Sequence, residues 1–384
     1  MVGFKKAFTF DDVALVPQYN NIDSRLEPDL GSWITKNSKI GVPILAANMD
    51  TVIDDVLADK LIKWGSYPIF HRFCSLEKQL GWCEKYGDKC YISCGINGMD
   101  NLKGLLETPV RGVVVDIAHG HSLRMVNLIR EIKSLFPDKE VIAGNVCTPM
   151  AYHDLVSAGA DAVKVGIGPG AACTTRMVTG FGVPQFTAIY DIAEYAKKLK
   201  VPIIGDGGIR NSRDVSLALA AGASTVMVGS LFAKTLESAS EKRLEILSSG
   251  GVETQSFTFN VGEKQEVKMM YKCKVYDTCL DGKIKGFLDE NGINYRLRSF
   301  YRGQASAHFQ NDYYGSMKKG TVAEGKHFET ECSGSVDDLF LDLLGGLRSA
   351  LTYGGARSLK EFQRKAEFVE VTGNYGFESN VRKE

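Results

Sequence analysis

Short apolar runs recur along the first 230 residues, and each is followed by a stretch whose apolar residues return every three or four positions. The runs are PILAAN at 43–48, YPIFH at 67–71, CYISCG at 90–95, GVVVDIA at 112–118, VIAGNV at 141–146, AVKVGIG at 162–168, PIIGDGG at 202–208 and STVMVGS at 224–230. They are nearly continuous rather than alternating, as strands of a parallel sheet buried on both faces should be. The stretches between them, such as SLRMVNLIREIKSLF and RDVSLALAAGA, carry the spacing of amphipathic helices. Eight strand–helix units predict an α/β protein, a TIM (β/α)₈ barrel forming a single domain over 1–384. An open, doubly wound sheet is the competing arrangement, and its dinucleotide fingerprint is missing.

The regularity breaks after the eighth strand. Residues 236–300 begin with a helical pattern in ESASEKRLEILSSGG and then alternate polar and apolar in SFTFNV and EVKMMYKCKVY, which reads as a small β-rich insertion. The Gly- and Tyr-rich polar stretch over 301–330 reads as a mobile flap. The run SVDDLFLDLLGGLRSALTYGGA supplies the last barrel helix, displaced along the chain by the insertion.

Composition narrows the function classes. Lys+Arg and Asp+Glu are both 46, so no basic field points to nucleic acid or an anionic membrane. No run is long enough to span a bilayer and the opening residues lack a signal-peptide core, so a cytoplasmic location is expected. The 9 cysteines are scattered through a long chain, as reduced thiols are. Cys74, Cys83, Cys90 and Cys94 form the densest group but lack paired C-x₂-C spacing, so they read as buried small hydrophobes rather than zinc ligands.

In a barrel the loops at the C-terminal strand ends build the active site. Strand six ends in VGIGPGAACTTR, where Gly166, Gly168, Pro169 and Gly170 shape a tight loop whose backbone can approach a ligand or ion. Cys173 stands at its tip beside Thr174, Thr175 and Arg176. A thiol near hydroxyls, backbone donors and a cation can form the nucleophilic thiolate. Strands seven and eight end in GDGGIR and VGS. Gly207, Gly208, Gly229 and Ser230 can turn backbone N–H groups to a phosphate, and Asp206, which would repel one, is assigned to sugar hydroxyls. Strand four ends with Asp116, His119, Gly120, His121 and Ser122. Its His-x-His pair has no third metal ligand nearby, so polar contacts to substrate or cofactor, or capping by Ser122, are favoured. Asn48, Met49 and Asp50 after strand one, and His71 and Arg72 after strand two, complete a polar rim.

The loop VGIGPGAACTTRMVTGFGVPQ, with AGNV before it and GDGGIR and MVGS after it, resembles the IMP dehydrogenase/GMP reductase family. FTFDDVALVP, ANMDTV and GGLRSALTYGGA resemble it too, so the likeness covers the chain apart from about 240–290. The resemblance implies that Cys173 attacks C2 of a purine mononucleotide, with Thr175 and Glu324 moving protons at the group on C2. It implies that Asn48, Asp206, Gly207, Gly208, Gly229, Ser230, Gln304, Ala305 and Gly325 hold the nucleotide, and that Asp116, His119 and Arg72 lie toward a nicotinamide cofactor. It also implies a monovalent cation, K⁺, on Gly166, Gly168 and Cys173, and a homotetramer. The flap HFQNDYYGSMKKGTVAEG lacks the Arg-Tyr pair with which the family's dehydrogenases activate water, and Glu324 matches the reductases' glutamate. The expectation is therefore an NADPH-dependent GMP reductase without CBS domains. A CBS-less IMP dehydrogenase using NAD⁺ and a non-catalytic purine nucleotide-binding protein are the alternatives. The chain departs from the family at Ala171, where a phosphate-binding Ser is usual, and at Gln304 and Ala305, where Met-Gly or Met-Ser meets the base. Its tail AEFVEVTGNYGFESN is nearer to the dehydrogenases.

Overall fold

The computed structural model describes residues 4–97, 99–246, 255–259, 295–317 and 319–378. The eight apolar runs become eight parallel strands: β1 (Ile44–Ala46), β2 (Ile69–Phe70), β3 (Tyr91–Cys94), β4 (Gly112–Asp116), β5 (Glu140–Val146), β6 (Ala162–Val165), β7 (Ile203–Asp206) and β8 (Thr225–Val228). The ladder is ordered β1-β8-β7-β6-β5-β4-β3-β2, so the last strand returns to the first. Ser66 Oγ donates to the Ile44 carbonyl at 2.7 Å and links the two ends of the ladder. The fold is a nearly closed TIM barrel with helices between its strands.

Alternation within the strands shows why they read as unbroken apolar runs. Leu45, Tyr91, Val114, Ile142, Ala162, Ile204 and Met227 meet inside the barrel. Their neighbours Ile44, Ala46, Val113, Val115, Val163, Val226 and Val228 pack outward against the helices. Both faces are dry, so period two leaves no polar stripe. A small hairpin, Ser32–Trp33 with Lys39–Ile40, lies at the N-terminal mouth, and Ile34 and Ile40 join the interior cluster.

Helix Val336–Tyr353 packs on Ser212–Ala220 and Asp55–Lys63, the helices after β7 and β1, and thus takes the place of the eighth barrel helix, as expected. The helical reading of the start of the 236–300 insertion is overturned. Lys242–Ile246 is a strand, β9, in a four-stranded antiparallel sheet with β10 (Gln255–Phe259), β11 (Tyr295–Arg302) and β12 (His327–Glu331). Its pairing with β11 supplies long-range backbone partners that a three-residue apolar spacing does not reveal. EVKMMYKCKVY lies outside the described residues. The flap is partly ordered structure: Ser306 caps a helix over Ala307–Tyr314 by accepting from the Phe309 amide.

Candidate active site

The loop after β6 is held by glycines with positive φ, 151° at Gly166 and 82° at Gly168. A Cβ on Gly166 would stand 2.1 Å from the Asp206 carbonyl oxygen, so only glycine lets this loop lie against β7. Arg176, read as the cation beside the thiol, also braces the loop. Its Nε donates to the Ile167 carbonyl at 3.2 Å and Nη2 to that of Val183 at 2.6 Å. The guanidinium braces the loop backbone, and none of its hydrogen bonds reaches the thiol.

The flap meets this loop through main-chain pairing. Thr174 N donates to the Glu324 carbonyl and Lys326 N to that of Ala172, both at 2.9 Å. Glu324 N in turn donates to the Ala305 carbonyl at 3.0 Å, so the YRGQAS turn is drawn into the same frame. Cys173 Sγ donates to Thr175 Oγ1 at 3.2 Å, and Thr175 Oγ1 donates to Glu324 Oε2 at 2.8 Å. A nucleophile, a hydroxyl and a carboxylate thus form one chain, although the carboxylate comes from a segment 149 positions away. Such a chain can strip a proton from the thiol and later return it.

Beneath the mouth lies a polar layer that the sequence reading missed. Lys164 follows Ala162 by two on β6 and so points inward. Its Nζ donates to Asp206 Oδ2 at 3.0 Å and lies 3.2 Å from Asp116 Oδ2. Burial opposes the charged lysine, but the Asp116 and Asp206 carboxylates outweigh it and raise its pKa. Asn48 Nδ2 donates to Asp116 Oδ2 at 2.7 Å and to Ser93 Oγ at 2.9 Å. Gln304 Nε2 donates to the Asn48 carbonyl at 3.0 Å. Asn145 Nδ2 donates to Asp206 Oδ2 at 2.9 Å and to the Gly166 carbonyl at 2.8 Å. Gly144 leaves room for the lysine, since a Cβ there would stand 2.5 Å from Lys164 Cβ. A lysine inside the apolar run AVKVGIG was the available signal, because a charge there must be paired.

At the other side of the mouth, Gly207 N–H donates to the Met227 carbonyl at 3.3 Å. This amide was expected to face phosphate and is instead spent on the β7–β8 edge. Gly229 and Ser230 open a short helix, Ser230–Ala233, whose first-turn amides have no partner within the helix. Tyr301, also missed, reaches over from β11 and is only 4% exposed. Its hydroxyl would stand 2.7 Å from a Cβ on Gly229, and burial pushes its pKa well above the usual range, so it is a neutral donor. Arg302 beside it donates Nε and Nη2 to Asp50 Oδ2 at 3.0 and 2.7 Å, tying the flap base to the end of β1.

The structure therefore brings together Cys173, Thr175, Glu324, Gly325 and Ala305 in one frame and Asn48, Asp116, Asp206 and Gln304 in another. His119 is exposed and forms no hydrogen bond among the described residues, while His121 pairs with Asp154 at 2.9 Å. Ser122 caps the following helix as expected. No group of three or more His, Cys, Asp or Glu among the described residues could hold a metal ion. Cys83, Cys90 and Cys94 are buried free thiols.

Residues 7–253 and 289–382 match the model of the IMP dehydrogenase / GMP reductase domain. The chain belongs to this family. It is 32% identical to the inosine-5'-monophosphate dehydrogenase of Borreliella burgdorferi over 96% of this chain and 95% of that one. It is 33% identical to GMP reductase 2 of Bos taurus over 94% of each chain. GMP reductase 1 of Homo sapiens stands at 33% over the same shares. Both branches are thus equally near, and membership establishes an oxidoreductase of purine mononucleotides that uses a nicotinamide cofactor. No described helix is long and apolar enough to cross a membrane.

Proposed function

We propose that this family member is a GMP reductase, converting GMP to IMP with NADPH through a covalent bond between Cys173 and purine C2. The observation that carries this reading is the chain from Cys173 through Thr175 to a carboxylate, Glu324. Its hydrogen bonds run in the direction that takes the thiol proton to Glu324. The thiolate then forms the S–C2 bond, the C2–N bond of the amino group breaks, and the proton returns through Thr175 to the departing nitrogen as ammonia. When bound, the nicotinamide cofactor supplies the hydride that C2 requires before the S–C2 bond breaks and IMP leaves. Tyr313 follows Asp312 and Tyr314 follows Tyr313, so the flap offers no Arg-Tyr pair to activate water in place of that step.

The surrounding residues support the same assignment. Asp206 is fixed by Lys164 and Asn145 to receive ribose hydroxyls, and Gly208, Gly229, Ser230 and the Tyr301 hydroxyl form the phosphate end. Gln304, Ala305 and Gly325 border the base. The buried Asn145 Oδ1 has no partner among the described residues, which suits the amide hydrogens of a nicotinamide held between Asn145 and Asp116. Carbonyls of Gly166, Gly168 and Cys173 would hold K⁺, with the Gly166 carbonyl already accepting from Asn145 and keeping one lone pair.

An IMP dehydrogenase is the second reading, favoured by the near-equal identity to that branch. Incubation with GMP plus NADPH, and separately with IMP plus NAD⁺, decides between them by the absorbance of reduced cofactor. NADPH oxidation with ammonia release is expected. NAD⁺ reduction with XMP formation would overturn the proposal, and nucleotide binding without turnover would leave only a binding protein.

A further inference from the structure

The polar layer beneath the mouth holds one charged group that touches none of the reacting atoms. Lys164 stands on β6 and is 2% exposed, with Nζ 3.0 Å from Asp206 Oδ2 and 3.2 Å from Asp116 Oδ2. Its Nζ also lies 3.5 Å from Asn48 Oδ1 and 3.8 Å from Met227 Sδ. Side chains of β4, β7, β8 and the loop after β1 thus converge on a single ammonium. A buried ion pair is weak evidence for stability, because well-packed apolar residues can replace one without loss. The position of this lysine therefore calls for a reason in the chemistry above it.

The two carboxylates are anchored in the same way. Asp206 Oδ2 also accepts from Asn145 at 2.9 Å and Asp116 Oδ2 from Asn48 at 2.7 Å, while Oδ1 of each accepts nothing among the described residues. The Asp116 and Asp206 side chains are 21% and 19% exposed, and neither Oδ1 is buried, so each offers one open oxygen to the mouth. Like charges gathered this closely repel unless a cation joins them. Lys164 thus sets both the separation of the carboxylates and the direction in which each open oxygen faces. No side-chain hydrogen bond among the described residues joins this layer to Cys173, Thr175 or Glu324, whose side chains bond to one another.

We propose that Lys164 is a positioning residue for hydride transfer: by holding Asp206 and Asp116 on one ammonium, it sets the alignment of the nucleotide with the nicotinamide. The proposal rests on the reductase reading, in which Asp206 takes the ribose of the nucleotide and Asp116 lies at the nicotinamide. In that reaction ammonia leaves when the C2–N bond breaks. A hydride then carries two electrons from C4 of the reduced nicotinamide to C2, and the S–C2 pair returns to Cys173 as thiolate. The first step runs on Cys173, Thr175 and Glu324. The second needs C4 and C2 about 3–3.5 Å apart, and a misplacement of about 1 Å costs about 10²-fold. Loss of Lys164 therefore falls on the second step and spares the first.

Two measurements on the full chain test this, with thermal melting as the check on folding. In single turnovers of GMP with NADPH, ammonia release and NADPH oxidation are followed separately. Lys164→Met should release ammonia within about threefold of the wild-type rate yet oxidise NADPH about 10²-fold more slowly. NADPH deuterated at the transferred position should then show a larger primary isotope effect than with the wild type. Lys164→Gln, which can still hydrogen-bond a carboxylate, should show the same split and keeps the test valid if the methionine variant fails to fold. The second measurement needs no turnover. In Cys173→Ala chains saturated with IMP and NADP⁺, the transferred NOE between purine H2 and nicotinamide H4 should be strong, and adding Lys164→Met or Lys164→Gln should remove it. Equal slowing of both steps in a folded variant, NADPH oxidation within about threefold of wild type, or an unchanged NOE would overturn this proposal and spare the reductase reading. A wild-type chain that releases no ammonia from GMP would overturn both.

Discussion

Replacing Glu324 by glutamine isolates the proton chain from everything else the flap does. The backbone of residue 324 holds the frame, its N–H to the Ala305 carbonyl at 3.0 Å and its carbonyl to Thr174 N at 2.9 Å, and neither bond uses the side chain. Glutamine can still accept from Thr175 Oγ1, which now donates to Oε2 at 2.8 Å. What is lost is the ability to take the thiol proton and return it. A positioned acid–base group contributes about 10²–10⁴ in rate, or roughly 3–5 kcal/mol at 1.36 kcal/mol per decade. Glu324→Gln should therefore lower kcat for GMP and NADPH by about 10²–10⁴ with the KM for GMP within about threefold, since ground-state binding does not run through the carboxylate. Stopped-time assays of NADPH absorbance and released ammonia measure it. A kcat within tenfold of wild type would refute the proton chain, and a rise in KM alone would make Glu324 a binding group.

Cys173→Ala should abolish turnover, below detection in the same assay, while nucleotide affinity by calorimetry stays close to wild type; retained activity would remove Cys173 as nucleophile. Lys164→Met leaves Asp116 and Asp206 without their shared cation, so urea unfolding should report a loss of about 3–5 kcal/mol, and an unchanged midpoint would mean the carboxylates are not held by it. Asp54 caps the helix Asp55–Lys63, and burial raises its pKa from 3.8 to about 6 against the capping amides. A raised acid binds more protons folded than unfolded between those values, so this residue makes stability fall as pH rises from about 4 to 6, by up to about 3 kcal/mol. Asp54→Asn should flatten the stability profile in that window, and identical pH slopes for both proteins would refute the assignment.

How much of the site was legible in the sequence depends on how local each signal is. The glycine loop around Cys173 was legible because its constraint is local: Gly166 and Gly168 adopt φ values that side chains avoid, and such positions mark themselves by residue type. Thr175 lies two residues from Cys173, so their contact needed only the loop. The start of the insertion was misread because β9 pairs with β10 on one side and with β11, 49 to 57 positions on, on the other, and a short apolar spacing reports neither partner. Gly207 was given to the phosphate by type and position, yet the Met227 carbonyl claims its amide. A donor's proximity in sequence says nothing about competing acceptors brought in by packing.

The sequence by itself determined the barrel, because eight apolar runs buried on both faces between amphipathic stretches have few other ways to exclude water. It also determined the nucleophile loop and placed Glu324 beside Thr175 by resemblance. Only the tertiary structure decided the polar layer of Asn48, Asp116, Lys164 and Asp206, where β4, β6 and β7 each contribute one side chain and the loop after β1 a fourth, and the seating of Tyr301 over Gly229. Burial patterns are written along the chain in periods of two and 3.6. Hydrogen-bond partners across a barrel mouth are set by how strands far apart in sequence converge, and no periodicity encodes that convergence.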